Sequence, residues 1–131
     1  MKKRDKTLEF FYNKTYIWLI LCVSIWFIYY TVYGNKGPLD NPAHYFGGMT
    51  VMSVLYGFLG NRRHELVMGL IIVILLFEFF ENIFWKIVIQ GGTNFYAQEF
   101  SILMDTVKDM LISFAGGMTP IAIQEYRKMG A

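Results

Sequence analysis

The chain has 131 residues, of which 55% are hydrophobic and 18% aromatic, and its mean hydropathy is +0.37. This is the length of one domain, but the composition is too apolar for an ordinary water-soluble protein. The formal net charge of +2 is too small to indicate a nucleic-acid-binding protein. The single cysteine, Cys22, excludes an intrachain disulfide and a thiolate cluster.

Two apolar stretches in the first half of the chain predict membrane spans. Residues 16–34 contain no charged side chain, and about 20 apolar residues are enough for a helix to cross a bilayer. The sequence Asp40-Asn41-Pro42 then indicates the start of a helix, because Asp and Asn cap free amides and Pro is tolerated in the first turn. The second predicted span, about 42–59, contains several glycines that allow close helix packing.

Two further apolar stretches predict spans at about 66–89 and about 100–118. The connection between the second and third spans is the short basic sequence Gly-Asn-Arg-Arg-His. Neither an internal repeat nor a low-complexity linker indicates a second domain. The chain is therefore predicted to be all-α, a single integral membrane domain over residues 1–131 that folds as a bundle of four transmembrane helices.

The basic residues outside the predicted spans predict the orientation of the bundle. Five of them precede the first span, Arg62 and Arg63 lie between the second and third, and Arg127 and Lys128 follow the fourth, so nine of the 12 lie on one side. Only Lys36 lies in the opposite connections. The positive-inside rule therefore predicts cytoplasmic termini and a multi-pass protein of the plasma membrane.

Carboxylates interrupt these apolar stretches and need an explanation, because a charge at the centre of a bilayer costs roughly 2.5 to 3.5 kcal/mol on insertion scales. Glu78, Glu81 and Asn82 lie at i, i+3 and i+4 and share one helix face. Asp105 and Asp109 are four residues apart and share a face of the fourth predicted helix. In the predicted orientation all of them lie in the outer half of the bilayer.

Asp40 and His44 reach the same outer half from the start of the second span. The five acids in that half carry five negative charges, and Lys86 and Lys108 carry two positive ones. Some of the carboxylates must therefore be protonated, solvated or bound to a cation. Oxygen ligands with one imidazole suit a divalent metal ion such as Zn²⁺, Mn²⁺, Fe²⁺ or Mg²⁺. The absence of a Glu-x-x-His pair disfavours a di-iron carboxylate bundle. We therefore predict a metal site formed by His44, Glu78, Glu81, Asp105 and Asp109, with Asp40, Asn82, Lys86 and Lys108 as secondary candidates.

Each of these residues also has a structural interpretation. Asp40 can serve only as a helix cap, and a single histidine such as His44 is more often structural than a ligand. Asp105, Lys108 and Asp109 can form a local ion-pair network. The alternative prediction is therefore a non-enzymatic small subunit of a larger membrane complex, or a proton or metal conduit, in which the acids link helices.

The order of these motifs resembles that of a known family. Asp40-x-x-x-His44, the acidic residues within 78–82, and Asp105-Thr-Val-Lys-Asp109 followed by two glycines resemble the VanZ-like group of small bacterial and archaeal membrane proteins, particularly its YjdF branch. The resemblance covers about residues 39–117, and the Asp-Thr-x-x-Asp sequence is its most specific part. It implies a small polytopic membrane protein and, only loosely, a role in the cell envelope.

The function predicted from the sequence is metal-assisted chemistry on a lipid or a lipid-linked phosphate. A metal ion can polarise a phosphoryl group or activate water, and a lipid can enter a helix bundle laterally. The predicted partners are the lipid bilayer, a lipid-linked substrate, and other membrane proteins or further copies of the chain, but not nucleic acid. Because no nucleophile motif is present, the sequence leaves open whether the protein is an enzyme.

Overall fold

The computed structural model describes residues 5–32, 39–81 and 95–130, and the regular structure in these ranges is helical. The helices in chain order are α1 (Lys6–Asn13), α2 (Thr15–Thr31), α3 (Asp40–Leu59), α4 (Arg63–Phe79) and α5 (Phe95–Lys128). The all-α prediction is confirmed for this part of the chain. Within α5 the description of side chains begins at residue 106.

A short amphipathic helix, α1, precedes the first long helix. The Asp5 carboxylate caps it, because Oδ1 accepts hydrogen bonds from the backbone amides of Thr7 at 2.9 Å and Leu8 at 3.2 Å. Leu8 and Phe11 are buried and direct the apolar face of α1 into the bundle. The axis bends by 51° between α1 and α2, and α1 packs against α3 and α5.

The central helix is α3, which contacts each of α1, α2, α4 and α5. Its crossing with α5 is especially close. A β-carbon on Gly48 would overlap the backbone carbonyl of Ser113, and a β-carbon on Gly116 would overlap the carbonyl of Tyr45. Glycine at these positions therefore lets the two backbones touch, as the glycines of the second predicted span indicated.

The apolar core lies between α1, α3, α4 and α5. Burying each of its large side chains contributes about 1.5 to 3 kcal/mol relative to full exposure. Its fully or almost fully buried members are Leu8, Met52, Tyr56, Leu66, Leu70, Ile74 and Ile121.

A polar network joins three segments at one end of the bundle. Gln124 is 1% exposed; its Oε1 accepts a hydrogen bond from Arg63 at 2.9 Å, and its Nε2 donates one to Asn61 at 3.1 Å. Arg127 donates a hydrogen bond to Thr7 at 3.2 Å. The N-terminal segment, the connection between α3 and α4 and the end of α5 therefore lie together, and these are the segments predicted to be cytoplasmic.

The helices and the predicted spans differ at the end of the chain. We predicted a fourth span ending at about 118, but α5 continues to Lys128. Pro120 lies inside α5 and is buried, and the buried Ile121 and Gln124 that follow it hold the last turns against the bundle. The predicted end of the third span, near 89, lies outside the described residues.

Tested for both length and hydropathy, none of the described helices qualifies alone as a membrane span. The pair formed by α1 and Thr15–Tyr29 of α2 qualifies jointly, with its bend, on length and composition.

Candidate metal centre

His44 occupies the second turn of α3 and is 3% exposed. The rings of Trp26 and Phe77 pack edge-on against its imidazole, with ring centroids at 5.2 and 6.5 Å. Trp26 belongs to α2 and Phe77 to α4, so residues of these two helices hold the imidazole ring of a residue on α3. Packing against two aromatic rings restricts rotation of the imidazole, and its two nitrogens face different groups.

Two carboxylates face Nε2 of His44. Asp40 Oδ1 lies 3.2 Å away, one helical turn earlier on α3, and Asp109 Oδ2 lies 3.3 Å away on α5. Nε2 makes no hydrogen bond of ordinary geometry with any residue in the described ranges, so the oxygens lie beside the ring nitrogen, off its hydrogen-bonding direction. Ligand atoms around a tetrahedral metal with bonds of about 2.0 to 2.1 Å lie about 3.3 Å apart. The 3.2 and 3.3 Å separations match that spacing, and one ligand atom from each residue lies within 4.8 Å of the others.

A hydroxyl and a third carboxylate face the other ring nitrogen. Ser113 Oγ lies 3.4 Å and Glu78 Oε1 lies 3.9 Å from Nδ1 of His44. When the Ser113 hydroxyl accepts from Nδ1–H, the lone pair of the neutral ring is on Nε2, the nitrogen beside which Asp40 and Asp109 lie. Metal-binding histidines usually have such a partner on the second nitrogen, which fixes the tautomer and the ring orientation.

Glu78 and Glu81 form a second group with His44, in which one ligand atom from each residue lies within 4.8 Å of the others. Glu78 is 3% exposed, whereas Glu81 is only partly buried. A neutral imidazole has one nitrogen lone pair, so with a neutral His44 the two groups are alternative metal sites. The first group has the shorter separations from His44.

Lys108 supplies a positive charge beside the first group. Its Nζ lies 3.7 Å from Oδ2 of Asp40 and 3.9 Å from Oδ1 of Asp109, which are the oxygens that do not face His44. The two carboxylates and the ammonium carry one net negative charge. A protonated imidazole would cancel that charge, and a divalent ion would more than cancel it.

The structure brings together most of the residues singled out in the sequence. Of the predicted ligands, those found together are His44, Glu78, Glu81 and Asp109; Asp40 and Lys108 join them from the secondary candidates. The backbone of Asp105 lies in α5 one turn before Asp109, but its side chain is outside the described part, as are residues Asn82 and Lys86. Asp40 is the first residue of α3, and its carboxylate faces His44 and Lys108.

Two neighbours of His44 were not predicted. Ser113 lies four residues after Asp109 and therefore on the same face of α5, which is a signal that the sequence contained. Trp26 is one of several aromatic residues in an apolar helix, and nothing local distinguishes it from its neighbours.

A cavity of about 340 Å³ ends at His44. We call it the α2–α4 cleft, because α2 and α4 form its walls over α3 and none of their Cα atoms in the described ranges approach within 8 Å of each other. Its polar lining residues are His44, Glu78 and Ser113. Its main apolar lining residues are Cys22, Trp26, Gly47, Val51, Val73 and Phe77.

Comparisons with known proteins identify no relative of this chain. No protein-family model matches it, and neither the curated proteins nor the solved structures contain a significant match. Similarity to the VanZ-like group therefore stays a prediction from the motifs, and function must be inferred from the chemistry of the site.

Proposed function

We propose that the protein is a multi-pass integral membrane protein that binds a divalent metal ion between Asp40, His44 and Asp109. The observation that carries this proposal is the buried Nε2 of His44. Carboxylate oxygens of Asp40 and Asp109 lie 3.2 and 3.3 Å from it, yet it makes no hydrogen bond of ordinary geometry within the described residues. Two carboxylates and one imidazole are a ligand set suited to Zn²⁺, Mn²⁺, Fe²⁺ or Mg²⁺. Three protein ligands leave a coordination position for water or substrate.

The surface of α2 and α4 supports the membrane location. Both helices expose large apolar side chains along much of their length, and water-soluble monomers rarely expose contiguous apolar patches of more than a few hundred Å². The exposed residues include Leu19, Val23 and Phe27 on α2 and Ile72, Leu76 and Phe79 on α4.

The chemistry that we propose acts on a lipid or a lipid-linked substrate. A divalent ion at this position would act as a Lewis acid on a carbonyl or phosphoryl oxygen or would activate a water molecule. The protein would hold the ion through α3 and α5, whose backbones touch at Gly48, and would orient His44 through Ser113. The α2–α4 cleft gives an apolar molecule a lateral path to the same histidine.

A second candidate function is structural, and the position of Lys108 favours it. A protonated His44 together with Lys108 would neutralise Asp40 and Asp109 without a metal and would link α3 to α5. Such a protein would serve as a small subunit of a membrane complex. Carboxylates on both sides of one imidazole also suit a proton conduit.

Elemental analysis of the detergent-purified protein tests the metal proposal. The wild-type protein is dialysed against Zn²⁺, Mn²⁺, Fe²⁺ and Mg²⁺ in turn, each time followed by metal-free buffer. We expect it to retain one of these metals at close to one ion per chain. Asp109→Asn should lose it and remain folded. The matched control is Glu65→Gln, which neutralises an exposed α4 carboxylate that pairs with Arg62 at 3.4 Å. No retained metal in wild type, or equal metal in both variants, favours the structural function.

Reporter fusions test the membrane location and topology. A reporter after Ala131 is expected in the cytoplasm, and one inserted near Gly92 is expected on the outer side. This arrangement follows from the basic residues, of which nine of 12 lie outside the spans on one side. Equal accessibility of both reporters from one side would contradict the four-span topology.

A further inference from the structure

We propose that the α2–α4 cleft binds a single long apolar chain whose head group donates hydrogen bonds, as a long-chain alcohol or a long-chain amine does. The inference goes beyond the proposed function, because it names an occupant of the cleft and not the substrate of the metal. It rests on the proposed membrane location, which would supply such molecules, and does not require the metal.

The walls of the cleft fit an apolar chain. Cys22 and Trp26 line it from α2, and Val73 and Phe77 line it from α4. Gly47 has no side chain, which leaves space at the floor of the cleft. The nearest atom to a β-carbon at this position would be Sγ of Cys22, at 3.5 Å. Since no Cα atom of α2 lies within 8 Å of one of α4 in the described ranges, the cleft is partly open between the two backbones. A chain entering from lipid would exchange one apolar environment for another without dehydrating a polar wall.

The size of the cleft favours one chain. Ligand pockets commonly have volumes of about 300 to 1,000 Å³, and the 340 Å³ of the cleft lies near the lower limit. A diacyl lipid would have to place two chains and a glycerol group in the same space. The cleft therefore selects single-chain molecules.

The polar end of the cleft determines the head group. Glu78 is 3% exposed and lines the cleft beside Nδ1 of His44 and the hydroxyl of Ser113. A carboxylate offers about four acceptor sites, so it can accept a hydrogen bond from a ligand in addition to its contacts within the protein. Charge-assisted hydrogen bonds are roughly twice as strong as neutral ones. A carboxylate or phosphate head group would instead meet Glu78 as a like charge, and Asp40 and Asp109 do not line the cleft.

The single cysteine of the chain gives a direct probe of occupancy. Cys22 is half-buried in the cleft wall, so a bound chain should shield it from N-ethylmaleimide. The experiment measures the alkylation rate of Cys22 in lipid nanodiscs with dodecanol, dodecylamine, dodecanoate or dodecyl phosphate. At ten times its Kd a ligand leaves about one site in eleven free, so alkylation should slow about tenfold. Dodecanol and dodecylamine should produce this slowing, and the two anions should produce none.

Variants test the position and the head group separately. Val73→Trp fills the cleft and should abolish the ligand-dependent slowing, whereas Leu75→Trp, on a 49% exposed position of the same helix, should keep it. Glu78→Gln retains an acceptor oxygen but loses the charge, and should weaken protection by dodecylamine more than protection by dodecanol.

The two proposals fail in different ways. Asp109→Asn should lose metal but keep the protection of Cys22 by dodecylamine. Unchanged alkylation of wild type at saturating dodecanol and dodecylamine would overturn the cleft proposal, and so would equal protection by dodecanoate. The wild-type comparison of head groups decides the question even if Val73→Trp does not fold.

Discussion

Gly48 of α3 lies so close to Ser113 of α5 that a β-carbon on the glycine would overlap the serine carbonyl oxygen. This contact is one helical turn from His44 along α3 and one turn from Asp109 along α5. It therefore sets the distance between the imidazole and the carboxylate. The metal centre that we propose depends on a contact between two backbones as much as on its own side chains.

Gly48→Ala is expected to separate α3 from α5. Overpacking of a well-packed site typically costs about 1 to 3 kcal/mol, and a clash with backbone has no flexible side chain to absorb it. Thermal unfolding and metal content should both fall. Gly47→Ala is the matched control, because the new β-carbon would lie at an ordinary van der Waals distance of 3.5 Å from Sγ of Cys22. Alanine is also more favourable than glycine inside a helix by about 1 kcal/mol. Similar losses in both variants would contradict the role of the crossing.

The helices and the acidic residues were predictable because their signals are local. An apolar stretch bounded by turn residues indicates a helix, and a charge inside it is conspicuous at any position. The proximity of Asp40 to His44 follows from their i, i+4 spacing. Asp109 was predicted to join them only because the orientation of the helices placed it at the same depth.

The remaining parts of the site depend on tertiary packing. Serine in an apolar helix often bonds only its own backbone, as Ser53 does with the carbonyl of Met49 at 2.9 Å, so the spacing of Ser113 from Asp109 did not by itself distinguish it from a structural serine. The packing of Trp26 on His44 and the gap between α2 and α4 follow from the way three helices cross. Neither is encoded in the spacing of residues along one helix.

Ser113→Ala is expected to weaken metal binding without removing a ligand. Loss of a partner on the second nitrogen of a metal-binding histidine typically costs 10-fold to 100-fold in affinity, that is about one to two orders of magnitude. Competition with a chelator measures the change. Ser53→Ala is the matched control, because Ser53 is also buried and lies on the central helix but has its hydroxyl on a backbone carbonyl. Equal weakening by both substitutions would indicate a general packing effect.

Asp5 is expected to make stability depend on pH. Burial raises the pKa of its carboxyl, but the hydrogen bonds with the side chain of Gln124 and the amides of Leu8 and Thr7 outweigh burial, so the pKa lies below its ordinary value. A depressed pKa means that the stabilisation is present above the unfolded pKa and is lost as the pH falls through the folded pKa.

Asp5→Asn tests this dependence, because asparagine caps helices as well as aspartate but does not titrate. At neutral pH the variant should be less stable by about 0.3 to 1 kcal/mol, since it lacks the charge at the helix N-terminus. Thermal unfolding from about pH 7 to about pH 3 covers the ordinary range for a carboxyl group. The difference in Tm should narrow as the pH falls, and a difference that widens would contradict the assignment.

Metal binding is expected to release protons. Asp40, Glu78, Glu81 and Asp109 surround His44, and Lys108 lies beside the carboxylates of Asp40 and Asp109. A metal ion and a proton compete for the same nitrogen and oxygen lone pairs, so binding displaces whatever protons the ligands hold. Affinity should therefore rise with pH across the mildly acidic to neutral range, and added metal should raise Tm by mass action.

Calorimetry in two buffers of different ionisation heat counts the released protons directly, because the apparent binding heat differs by that count multiplied by the difference in buffer heat. His44→Ala should reduce both the affinity and the count, since it removes the imidazole that shares its protons with the acids. If Lys108 and a protonated His44 already neutralise Asp40 and Asp109, this group would hold its protons and bind no ion. A folded wild type with no metal-dependent heat and no change in Tm would therefore assign Asp40 and Asp109 to linking α3 and α5, and not to a metal.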